Sequence, residues 1–251
     1  MLLVPFFAGA ILARAWRWAE VAALAASFVV FAAKDPMVVV ARQRWVWRDR
    51  RPETDVAWRW LAWEAVILAV CAVPLALVWP IWALAGAAVG AGAFSVIAVA
   101  MTVRNRQRST LLQIASAIAL TATALAACLS ATGAIPGWGW RLWALCGLQA
   151  TAGILVVHAR LEARIAARKG ESVSQYRRPA MVAVAVLVVA AVVARNFAIS
   201  GALLLAEGAY AFDLWRQLSA QSLQMPLTRV GLQSLGLSIV YTVLIVAGLW
   251  S

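Results

Sequence analysis

Two carboxylates stand inside apolar sequence where ionisable groups are scarce, Glu64 and Glu207. A charge held at the centre of a bilayer span costs roughly 2.5–3.5 kcal/mol on insertion scales, so such a group marks a solute pathway, a proton relay or an internal ion pair. Arg195, next to Asn196, is the third charge in this class and breaks the apolar sequence ahead of Glu207. A Glu207–Arg195 pair would offset both charges, but only if the intervening chain folds back. The alternatives for Glu207 are a proton-coupling group and a carboxyl near the headgroups.

A second set of residues has the chemistry to hold an anionic headgroup: Arg42, Arg104, Arg106, His158 and Arg160, with Asp35 nearby in the same kind of segment. His158 is the sole histidine, and a lone histidine at a span end is more often an interfacial polar residue than a catalyst. Cys71, Cys128 and Cys146 are far apart and lie in apolar runs, which fits small core residues and excludes a paired metal or redox motif. No GxxxxGK[ST], GxSxG or strand-following GxGxxG is present, so nucleotide-driven transport and serine hydrolysis have no support. No catalytic residue is assigned, and no metal or other cofactor is expected.

The elements that must position these groups are membrane spans. Hydrophobic residues make up 65% of the 251 and charged residues only 13%. A span needs about 20 apolar residues to cross roughly 30 Å of hydrocarbon. Charged clusters, prolines and glycines divide the chain into nine candidate spans: 2–13, 20–33, 60–78, 83–103, 111–131, 140–158, 179–194, 197–212 and 231–250. They predict an all-α polytopic bundle forming a single transmembrane domain over residues 1–251. The first run is short, so it is either half-inserted or continues upstream, and it has no leading basic region of the kind that opens a cleavable signal peptide.

The net charge of +12 is concentrated in short clusters between apolar runs, which is the pattern of loops beside anionic lipid and not of a nucleic-acid-binding surface. The segment 34–59 holds seven Lys and Arg, 104–108 three, and 160–178 six, whereas the alternate connections are poor. Basic segments inside predict a cytoplasmic amino terminus and an outer carboxyl terminus in a cell membrane. Arg44, Arg48 and Arg51 share an i, i+4, i+7 stripe, so that segment can continue as a surface helix. Nearly all of the 14 tryptophans fall at span ends, where indoles anchor at the headgroups; Trp63 sits a turn inside. Gly86 and Gly90 form a GxxxG, read here as internal helix packing in preference to dimerisation.

Five stretches, in order, carry a resemblance: MLLVPFFAGA, FVVFAAKDPMVVVARQR, LLQIASAIAL, ILVVHARLEAR and TRVGLQSLGLSIVYTVLIV. Together they resemble the YwiC-like family of bacterial integral membrane proteins over most of the chain. Members usually carry His-Gly-Ala-Trp just before the stretch that matches Met1–Phe6, and this chain starts after it. The resemblance implies a membrane protein of uncharacterised activity.

Nine helices with basic loops after spans two, four, six and eight also look like UbiA-type prenyltransferases, which bind a prenyl diphosphate through Mg²⁺ on aspartate-rich motifs. The corresponding positions here are Lys34, Asp35 and Pro36, then Arg160, Leu161 and Glu162. Repeated aspartates are missing, and Mg²⁺ on a diphosphate needs several oxygen ligands. This departure argues against ordinary prenyl transfer.

Three functions follow as expectations. The first is a UbiA-like bundle that takes a lipid or isoprenoid ligand between helices, its headgroup near Arg42, Arg104, Arg106, His158 and Arg160. The second is a small-solute transporter or exporter coupled through Glu64 or Glu207, with Pro74 and the Arg195–Asn196 pair as candidate helix breaks. The third is an enzyme with an altered Mg²⁺ site in which Asp35, Glu162 and Asp213 come together. Membrane lipids are the expected surroundings in all three.

Overall fold

A computed structural model describes residues 2–47, 51–104, 109–170, 181–182, 184–185, 188–189, 192, 201–217 and 226–250. Among these residues the secondary structure is helical throughout. The helices are α1 (Leu3–Ala13), α2 (Trp18–Ala32), α3 (Lys34–Arg42), α4 (Pro52–Ala76), α5 (Ile81–Val103), α6 (Thr110–Thr121), α7 (Thr123–Thr132), α8 (Gly137–Lys169), α9 (Gly201–Gln217) and α10 (Leu227–Trp250). The described residues between 181 and 192 are also helical. Six stretches are long and apolar enough to cross a bilayer: Trp18–Trp47, Pro52–Ala76, Ile81–Val103, Thr110–Thr132, Gly137–Ala166 and Thr228–Trp250.

Local sequence explains most boundaries. α4 opens with Pro52 at its first position and Glu53 and Asp55 in its first turn, where a missing N–H costs nothing and negative charge meets the positive end of the helix. α7 stops at Gly133, whose φ of 77° lies in the left-handed region that glycine tolerates. Pro80, extended at φ −62° and ψ 143°, starts α5 after a tight turn.

Several sequence expectations are corrected. The basic segment 34–59, read as able to continue as a surface helix, is largely helical among its described residues: α3 follows α2 directly, a π-helical turn covers Gln43–Trp47, and α4 begins at Pro52, ahead of the expected start at residue 60. Arg44 and Arg51 therefore do not share one regular helical stripe; Arg51 lies in the extended residue before α4 with its guanidinium 4.2 Å from the Trp47 ring. Arg48 lies outside the described residues. α8 likewise runs through Arg160 and Glu162 to Lys169, well past the expected end at His158. Pro74 does not break α4, which continues to Ala76.

The core forms where small residues let helices approach. In one cluster Phe6, Ala10, Ala19, Ala23, Leu75, Trp79, Ala83, Ala127 and Leu129 join α1, α2, α4, α5 and α7. In another, Ala8, Leu12, Ala124, Leu142, Cys146, Leu203, Ala206, Tyr241 and Ile245 join α1, α7, α8, α9 and α10. Gly9 is the closest approach: a Cβ there would lie 2.6 Å from the Ala124 carbonyl oxygen. Gly86 and Gly90 behave oppositely, with open space among the described residues where their Cβ atoms would be, so the GxxxG does not serve packing against the described helices. Trp79 also departs from the anchoring role, since it is buried and its indole N–H donates to Ser130 Oγ at 3.0 Å. Large apolar side chains such as Leu77, Ile81 and Val89 point outward, which suits lipid and would be costly in water.

Candidate functional site

The richest polar cluster buried in the bundle lies where α8, α9 and α10 meet. Glu207 is near the middle of α9 and Tyr210 lies one turn further on the same face. Tyr241 and Ser238 have the same three-residue spacing on α10, and Gln149 faces them from α8. Glu207 is only 5% exposed, and its Oε1 accepts a hydrogen bond from the Tyr241 hydroxyl at 2.8 Å. The Tyr210 hydroxyl donates to the Gln149 carbonyl oxygen at 3.1 Å, and Gln149 Nε2 donates to Ser238 Oγ at 2.6 Å. The two tyrosine rings are tilted at 48° with centroids 5.1 Å apart.

Gln149, Glu207, Tyr210 and Tyr241, with Leu148, Ala152 and Val188, line a recess with about 10 Å³ of free space. A single water needs roughly 10–15 Å³ on that measure. The recess therefore holds about one water, and neither a solute nor an isoprenoid chain. Chemically, the arrangement gives a carboxylate that can take and release a proton, with hydroxyl and amide groups beside it.

The other sequence candidates occupy separate places. Glu64, half-buried on α4, has its Oε2 enclosed without a hydrogen-bond partner among the described residues. Asp35 and Arg42 lie on α3, which packs against α4 and against α5, the helix that ends just before Arg104. Asp35 and Arg104 are exposed. His158 and Arg160 lie on α8, where His158 Nε2–H donates to Gln113 Oε1 of α6 at 2.9 Å and Arg160 is 3% exposed. Arg106 and Arg195 fall outside the described residues, as does the suggested pairing of Arg195 with Glu207. Asp35, Glu162 and Asp213 are distributed over α3, α8 and α9, and among the described residues no three His, Cys, Asp or Glu side chains are grouped to hold a metal ion.

Sequence reading missed Tyr241, Tyr210, Gln149 and Ser238. The available signal was the pair of i, i+3 polar spacings within otherwise apolar helices. It also missed Glu20, which was taken as a span boundary and is completely enclosed.

An all-helical chain with six stretches able to cross a bilayer and a polar network inside the bundle is a multi-pass membrane protein. The sequence model for YwiC-like proteins matches residues 1–128, just over half of the 251, and the chain belongs to the YwiC-like family. Glu20 and Glu64 fall within the matched region, and the Glu207 network lies beyond it. No curated protein and no solved structure matches the chain.

Proposed function

We propose that this protein is a small-solute transporter or exporter in which Glu207 couples movement of the solute to a proton. The observation that carries this reading is the 2.8 Å hydrogen bond from Tyr241 to a carboxylate buried midway along α9. Intramembrane carboxylates of this kind serve proton relays and ion pathways. The neighbouring recess has space for about one water, enough to pass a proton to or from Glu207.

The accompanying architecture is nine spans in a UbiA-like order, with the amino terminus cytoplasmic and the carboxyl terminus outside. One contact fits the odd span count. The Arg14 guanidinium at the end of α1 lies 4.0 Å from the Trp250 ring at the end of α10, so both helices finish on the same side. An odd number of spans between them requires that.

The test is reconstitution into liposomes loaded with a pH-sensitive dye, followed by addition of candidate solutes outside. Solute-dependent proton movement that is lost in Glu207→Gln supports the coupling role. Movement that persists unchanged in that variant removes it.

A second reading has its own observation. Arg160 is buried one turn before Arg164 and two residues past His158, at the basic end of α8, where an anionic headgroup of a lipid or isoprenoid ligand would meet concentrated positive charge. Mass spectrometry of lipids retained by the purified protein, with alanine at Arg42, Arg104 and Arg160, separates the two. Retention that these substitutions leave unchanged counts against it.

A further inference from the structure

We propose that Glu20 is a binding site for one small monovalent cation, a proton or an alkali ion, in the α1–α2–α4–α7 half of the bundle and separate from Glu207. Glu20 lies in the first turn of α2 and is 0% exposed. Neither carboxylate oxygen has a hydrogen-bond partner among the described residues, although the backbone N–H of Glu20 is satisfied by the Arg17 carbonyl at 3.0 Å. An enclosed carboxylate cannot keep its charge in apolar surroundings without a compensating group.

The neighbours supply only part of one. Ala19 and Ala23, on either side of Glu20 along α2, belong to the apolar cluster with Phe6, Leu75, Trp79 and Ala127. The Trp79 indole N–H, a nearby donor, is already directed at Ser130. From α7 the titratable group within electrostatic range is the Cys128 thiol, which is itself fully buried. From the approach to α2, Arg17 acts on the carboxylate through its backbone N–H and its charge, but its side chain is exposed, so the guanidinium is shared with water. The positive end of α2 favours the anion but supplies only a partial charge.

Charge balance sets the ligand class. One carboxylate neutralises one positive charge. A divalent ion would need further acidic oxygens, and among the described residues no group of three His, Cys, Asp or Glu side chains could hold one.

The experiment is infrared spectroscopy of the full chain in lipid, as the difference between wild type and Glu20→Gln, first in choline buffer and then with Na⁺ or K⁺. The expected result in choline is one carboxylic-acid carbonyl band that is lost in Glu20→Gln. If Na⁺ and K⁺ leave that band intact, the resident cation is the proton; if either converts it to carboxylate bands, the site takes an alkali ion. Carboxylate bands already present in choline and insensitive to both ions would overturn the proposal, because the protein itself would then be neutralising Glu20. Should Glu20→Gln fail to fold, Glu20→Asp provides the assignment through the displacement of the same band.

Discussion

The Tyr241 hydroxyl of α10 donates to Glu207 Oε1 of α9 across 2.8 Å, and this bond joins two helices that also share the apolar cluster of Leu203, Ala206 and Ile245. Hydrogen bonds between helices in a bilayer contribute about 0.6 kcal/mol on average and up to about 1.7. Tyr241→Phe is expected to lower unfolding stability in detergent by about 1 kcal/mol, measured by thermal or denaturant melts. If Glu207 couples transport, the same variant should also change the pH dependence of flux, which a loss of packing alone would not do.

Gly9 has no room for a side chain. A methyl group would press on the Ala124 carbonyl and on the Ala127 Cβ, which would be 3.2 Å away. Overpacking of this kind costs about 1–3 kcal/mol. Gly9→Ala should therefore destabilise the protein visibly in the same melts, and Gly9→Leu should do so more severely.

Gly86 and Gly90 provide the contrast on α5, where an added Cβ meets nothing within 4 Å. Gly86→Ala and Gly90→Ala should leave the melting behaviour of the monomer within about 0.5 kcal/mol of wild type or raise it slightly through better helix propensity. A loss comparable with that of Gly9→Ala would mean that another helix covers this face.

Trp79→Phe keeps the aromatic bulk in the core and removes the donor to Ser130. The expected cost is about 0.5–1.5 kcal/mol, the usual net contribution of one hydrogen bond. A loss of indole emission from a buried, blue-shifted environment should accompany it, because Trp79 is buried whereas tryptophans such as Trp18 and Trp82 are exposed.

Much of this bundle was legible from composition, because apolar runs of span length leave little choice but helices. The α5 limits, Ile81–Val103, and the α6–α7 stretch fell where glycine, proline and charge predicted. Span ends were placed at charge, whereas Arg and Lys are good helix formers: α8 runs past its expected end, and α3 continues after α2 as the segment following the second span was read as able to do. The break between α6 and α7 left a weaker trace, in Thr121 and Thr123, whose hydroxyls bond back to the Ile118 and Leu120 carbonyls.

The candidate sites were only half legible for a different reason. A carboxylate in an apolar run announces itself, which is why Glu207 and Glu64 stood out, but its partner is fixed by packing between distant helices. Tyr241 is 34 residues from Glu207, and no sequence period links them. Glu20 was hidden by its position beside Arg17 and Trp18, where an acidic residue looks solvated.

The placement of α1 bears on how the protein is made. Ala8 and Leu12 are buried against α8, α9 and α10, and Arg14 stacks on Trp250. A ribosome delivers α1 to the membrane long before it has synthesised those surfaces. The packing around α1 is therefore complete only once α10 has been made. Truncation near the carboxyl terminus should expose α1 to proteases.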